Sequence, residues 1–149
     1  MASEFDKLKE EIMADMRKTY SEAVIDHAMK PRNVGSIPDA DGFASITGPC
    51  GDTMAMWLRV KDNRLQQVTF WTDGCSTTIA AGSMLTEMAR EKAISEILRI
   101  TPQEVLDALG GLPEESRHCA LLAVITLREA VKNYLTCQRE PWRRAEGGL

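Results

Sequence analysis

Two stretches of alternating residues, Thr53 to Lys61 and Leu65 to Thr72, face each other across Asp62-Asn63. Asp and Asn tolerate the left-handed backbone that a two-residue hairpin needs, so the stretches read as antiparallel neighbours. Met54, Met56, Leu58 and Val60 then share one face, while Val, Thr, Phe and Trp enrich the second strand. A shorter strand from Phe43 to Thr47 precedes them, joined by the tight loop Gly48-Pro49-Cys50-Gly51-Asp52. Helical patterns flank this meander on both sides, which makes the class α+β: a three-stranded antiparallel sheet with helices packed on one face.

The helices follow from spacing and end signals. Phe5, Leu8, Ile12 and Met16 recur at helical intervals behind a Ser3 cap with Asp6 three residues on. A second short helix spans about Tyr20 to Met29, with Val24 and Ile25 inward, and stops before Pro31. After Cys75 the period turns helical to about Arg90. Thr101-Pro102 opens another helix to Leu109, halted by Gly110-Gly111. A long last helix covers about Glu114 to Gln138. No repeat or second domain shows, so residues 1–149 read as one domain, with a helix in 1–19 and a flexible tail in 139–149.

Composition narrows the function. The net charge is −4, and the only basic cluster is Arg139, Arg143 and Arg144, which argues against nucleic acid. Nothing approaches the roughly 20 apolar residues of a membrane span, and the first 18 residues carry acids throughout rather than a signal peptide's apolar run. The expected location is therefore the cytoplasm, where thiols stay reduced. Four cysteines in such a compartment suggest metal or sulfur chemistry before disulfides.

Three of the cysteines sit where chemistry is favoured. Cys50 lies in the Gly-Pro loop, where the backbone can approach a ligand closely. Cys75 lies where a strand hands over to a helix, and a thiol at a helix N-terminus is biased towards the thiolate. Cys119 follows His118 in the first turns of the last helix. Cys75 lies 25 positions after Cys50 and Cys119 lies 44 positions after Cys75, spacings too wide for a zinc-finger knuckle. On residues alone, Asp52 reads equally as a solvated carboxylate or a site group. His27 reads as a surface or hydrogen-bonded structural residue, and Cys137 as an incidental thiol. Tyr20 and the Met residues read as packing, and Trp57, Trp71 and Trp142 suggest no cofactor box.

Five segments in order resemble the IscU/NifU-like family of iron–sulfur cluster assembly scaffolds. They are Tyr20 to His27 (YSEAVIDH), Lys30 to Gly35 (KPRNVG), Cys50 to Met54 (CGDTM), Asp73 to Cys75 (DGC) and Arg117 to Ala123 (RHCALLA). The resemblance runs from about Tyr20 to Tyr134. It implies that Cys50, Cys75 and Cys119 hold a labile 2Fe–2S cluster, with Asp52 over the site and His118 as a further ligand. Thiolates suit iron–sulfur clusters, and an incomplete Cys set with an O or N ligand suits a scaffold that must release its cargo. Zinc in the same pocket would use the same S, N and O donors, so the metal stays open between iron and zinc.

The resemblance further implies a carrier rather than an enzyme. It would accept persulfide sulfur from a cysteine desulfurase at Cys119 and pass the finished cluster to apo iron–sulfur acceptor proteins. A zinc-bound sulfur relay for the desulfurase is the alternative, although the gap between Cys75 and Cys119 leaves no room for the insertion of that branch. Two departures stand out. The family's Leu-Pro-Pro-Val-Lys segment is here Leu112-Pro113-Glu114-Glu115-Ser116, which counts against docking of the dedicated Hsp70-type chaperone. After Cys75 the family's Gly-Ser-Ala is replaced by Ser76-Thr77-Thr78.

Overall fold

A computed structural model describes residues 3–139. Its elements run α1 (Glu4–Thr19), α2 (Glu22–Met29), β1 (Gly42–Thr47), β2 (Thr53–Lys61), β3 (Arg64–Thr72), α3 (Ser76–Ala89), α4 (Ile94–Ile97), α5 (Pro102–Ala108) and α6 (His118–Arg139). The strands form one antiparallel sheet in the order β1-β2-β3. Helix α6 lies across β1 and β2, and α3 lies along β3.

The hairpin turn behaves as its residues demand: Asp62 and Asn63 both take positive φ, 53° and 62°. Across the sheet Met56 sits level with Ala44 and Phe70, and Leu58 with Gly42 and Val68, so these rows point at the helices. Alternation alone does not place Leu65 and Val68 on one face, since they lie an odd three positions apart. A bulge between Arg59 and Val60 resolves this: Arg59 pairs with Gln67 but Val60 pairs with Leu65, leaving Gln66 extra and returning Leu65 to the core. On the opposite face the Phe43 and Trp57 rings pack at a 45° tilt with centroids 5.2 Å apart.

The run Ala80-Ala81-Gly82-Ser83 is buried against β3. A Cβ on Gly82 would stand 2.6 Å from the Phe70 ring, so only glycine lets α3 lie this close. Several elements differ at their edges from the sequence reading. Helix α2 begins at Glu22, because Ser21 accepts from the Val24 amide as its cap. Helix α6 begins at His118, and a 3-10 turn at Glu114–Ser116 takes up the residues after Pro113. Helix α4 was not legible, being too short to show a period. No helix among the described residues is long and apolar enough to cross a membrane. The tail expected at 139–149 lies outside the described residues except for Arg139, which ends α6.

Helix α2 docks on α3 through a polar seam. His27, 8% exposed, places Nδ1 2.7 Å from Ser83 Oγ, which also accepts from the Arg32 backbone amide at 3.0 Å. Asn33 donates to Thr86 Oγ1 and Glu87 Oε1 at 3.0 Å each. Burial, and then the Arg32 charge, hold the His27 pKa below the ordinary histidine value, with Asp26 and Glu87 opposing more weakly. The unfolded chain therefore takes up a proton near pH 6.5 that the folded chain refuses. Unfolding free energy should fall as pH drops below about 6.5, and His27→Gln should flatten that fall between pH 7 and 5 in urea titrations. An unchanged slope in the variant would contradict the assignment.

Candidate metal and sulfur site

Three chain segments meet at one end of the sheet: the β1–β2 loop, the β3–α3 junction and the start of α6. The first two are tied together before any cysteine is considered. Asp73 Oδ1 accepts from the Thr53 amide at 2.8 Å, and Thr72 donates its hydroxyl to the Thr53 carbonyl at 2.7 Å. The loop itself closes through Gly48 N–H to the Asp52 carbonyl at 2.8 Å. Gly74 is required at the junction, since a Cβ there would stand 2.7 Å from Thr78.

Thr77 and Thr78 form the centre of the site. Both are buried on the first turn of α3, and an unpaired buried hydroxyl costs about 1–3 kcal/mol, so each must find partners. Thr78 Oγ1 donates to Asp52 Oδ2 at 3.2 Å and stands 3.3 Å from Cys119 Sγ and 3.8 Å from Cys75 Sγ. A hydroxyl has one proton, and a carboxylate is a far better acceptor than sulfur, so the proton goes to Asp52. Thr77 Oγ1 lies 3.0 Å from Cys75 Sγ and 3.5 Å from Cys119 Sγ. His118 Nε2 lies 3.8 Å from Cys119 Sγ.

The network therefore brings together Cys75, Cys119, His118 and Asp52. Cys50 is outside it, carried at the exposed tip of the loop two residues before Asp52. With the side chains so placed, among the described residues no three His, Cys, Asp or Glu groups stand close enough to hold a metal ion. The threonine hydroxyls stand beside the sulfurs instead. Cys75 is exposed, whereas Cys119 is 1% exposed. Cys137 is buried on α6 about 27 Å along the helix from Cys119 and belongs to the packing.

Cys75 caps α3, the position at which the helix dipole favours a thiolate. Partial burial pushes its pKa up, but the Thr77 hydroxyl and the Thr78 and Thr77 amides outweigh that and hold it below the ordinary cysteine value. The sequence pointed to the cysteines, Asp52 and His118; it gave no weight to the hydroxyls of Thr77 and Thr78 or to Asp73. Two threonines at the second and third positions after a helix-starting cysteine were the available signal.

Residues 19–140 match the family profile described as the NifU-like N terminal domain. Over 116 residues the chain is 50% identical to the iron-sulfur cluster assembly scaffold protein IscU 1 of Archaeoglobus fulgidus, covering 77% of this chain and 76% of that one. It is 42% identical over 122 residues to the scaffold protein IscU of Aquifex aeolicus, covering 80% and 78%. A candidate SUF-system scaffold from Fervidobacterium islandicum AW-1 superposes with a TM-score of 0.61 at 20% identity, covering 75% of this chain and 96% of that one, a likeness of fold.

Removing the strongest side-chain donor to Cys75 should raise its pKa. With thiols reduced and metal chelated, alkylation of Cys75 by iodoacetamide, followed on its own peptide by mass spectrometry, should shift its rate–pH midpoint upwards in Thr77→Val. A midpoint equal to that of the unsubstituted chain would count against the hydroxyl's role.

Proposed function

This chain belongs to the NifU-like N-terminal domain family, and from that membership we propose that it is a scaffold on which an iron–sulfur cluster is assembled as cargo and then released to acceptor proteins. The observation that carries the reading is the convergence of Cys75, Cys119, His118 and Asp52 on two buried threonines, with Cys50 on the adjoining loop. Thiolates with one carboxylate and one imidazole make a mixed donor set, which binds iron and sulfide without enclosing them in four sulfurs.

In this reading a 2Fe–2S cluster takes Cys50, Cys75 and Cys119, and its fourth position falls to Asp52 or His118. Sulfur arrives as the persulfide of a cysteine desulfurase. The Cys119 thiolate attacks the outer sulfur, the donor's S–S bond breaks, and the donor cysteine leaves as a thiolate. Cys119 then carries the sulfur as its own persulfide. Because Cys119 is buried, this route requires the first turn of α6 to open when the desulfurase docks. Sulfane sulfur needs two electrons to become sulfide, so an external electron donor must join iron and the desulfurase. The chain binds and positions; it does not turn over a small substrate. The two acids after Pro113 set against a basic chaperone-recognition segment keep Hsp70-type docking outside this reading.

Anaerobic reconstitution with desulfurase, L-cysteine and ferrous iron should load the chain with iron and acid-labile sulfide in near-equal amounts, with a visible charge-transfer spectrum. Each of Cys50→Ala, Cys75→Ala and Cys119→Ala should lose that cargo, and the persulfide trapped without iron should map to Cys119. Asp52→Ala should load but transfer to an apo acceptor roughly tenfold more slowly, the scale of a lost outer partner at a metal site. Zinc without sulfide under all conditions would favour a zinc-bound sulfur relay instead. Retention of cluster by all three Ala variants would defeat the assignment.

A further inference from the structure

Helix α1 is amphipathic, yet none of its 16 residues is buried. Phe5, Leu8 and Ile12 are 74%, 54% and 52% exposed. Together with Met13 and Met16 they line an apolar groove whose far wall is Met29 of α2, itself 53% exposed. Isolated apolar residues on a surface need no explanation, but a contiguous strip of this length marks a contact surface.

The strip has a symmetry that points to its occupant. Leu8 lies four residues before Ile12 and Met16 four residues after it. Two copies of α1 laid antiparallel with Ile12 at the two-fold axis would set each Leu8 level with the other copy's Met16. Charge follows the same polarity: Glu4 and Asp6 open the helix, and Arg17 and Lys18 close it. In that register Asp6 lies level with Lys18 and Lys9 with Asp15, attractions that outnumber the repulsion of Lys7 level with Arg17, and the helix dipoles oppose, whereas parallel copies place like beside like. Arg17 and Lys18 already meet Glu22 and Asp15 within the chain, but those pairs are exposed and worth about 1 kcal/mol or less, so they do not withhold the charges.

We propose that this face of α1 is an isologous interface between two copies of the chain, packed antiparallel about Ile12. A 16-residue helix is about 24 Å long. The contact therefore falls at the low end of stable interfaces, about 1,200 Å² or below, and the dimer is weak and reversible. The interface is independent of the scaffold reading, because it uses no residue of the cysteine site.

Sedimentation equilibrium of the full chain, reduced and with chelator to prevent thiol or metal bridging, tests it over micromolar to millimolar concentrations. A reversible monomer–dimer equilibrium is expected. Ile12→Glu should raise its dissociation constant at least about tenfold, because it would bury a charge at the axis, with circular dichroism unchanged. The charge reversals Asp6→Lys and Lys18→Glu should each weaken self-association, while their mixture should associate more tightly than either alone. A chain monomeric throughout would overturn the proposal. So would a dimer indifferent to Ile12→Glu, which would place the interface elsewhere. If Ile12→Glu left self-association unchanged but weakened desulfurase binding, the strip would belong to that partner and the proposal would fail.

Discussion

A single hydroxyl proton organises the functional end of this molecule. Thr78, buried on the first turn of α3, gives that proton to Asp52 on the β1–β2 loop while its oxygen lies beside the sulfur of Cys119 on α6. Loop, strand–helix junction and last helix are thereby held to one another through one side chain. Asp73 and Thr72 add the second restraint by tying the start of β2 to the end of β3. Net hydrogen bonds are worth about 1 kcal/mol, and those to a carboxylate about 1.5–3 kcal/mol, so such a network can be rearranged by an incoming ligand. A cargo site benefits from that balance. Asp52, Cys75 and Cys119 are each held within 4 Å of a threonine hydroxyl that an incoming ligand can displace.

The division between rigid body and mobile chemistry follows the burial. The sheet's inner face and helices α3 and α6 form one apolar cluster that includes Met54, Met56, Leu58, Phe70 and Leu127. Cys119 belongs to that cluster, whereas Cys50 and Cys75 stand at the surface. The three sulfurs therefore differ in access and in environment before any metal arrives. Cys75 has the helix N-terminus and the threonine hydroxyl to favour its thiolate. Cys119 has the shelter of the core, which would guard a sulfur it carried from solvent. Helix α1 stands apart from this logic, amphipathic yet with none of its residues buried, which is why its apolar strip requires an explanation of its own.

Much of this arrangement was legible because local chemistry and global fold agree. Asp62-Asn63 specified the hairpin turn, Ser3 and Thr101 specified helix starts, and the Met54-Met56-Leu58 alternation specified the covered face. What escaped had physical reasons. The bulge at Gln66 breaks the period of two without leaving a Gly or Pro to announce it. Helix α4 spans one turn and carries no periodicity. The threonine contacts that join Cys75 and Cys119 to Asp52 were not legible, because hydrogen bonds between residues 26 and 41 positions apart do not show in the local spacing, whatever the threonines beside Cys75 suggested. The burial of Cys119 was hidden for the same reason, since it depends on how α6 packs rather than on what surrounds the cysteine in sequence.

The central claim is that Cys50, Cys75 and Cys119 serve one centre. X-ray absorption at the zinc edge of the chain loaded with one equivalent of zinc tests it most directly, because zinc reports its ligands without cluster chemistry. The account predicts a first shell of three sulfurs at about 2.3 Å and one oxygen or nitrogen at about 2.0–2.1 Å, with one sulfur lost in Cys50→Ala. A shell with fewer than three sulfurs, or one indifferent to Cys50→Ala, would contradict it.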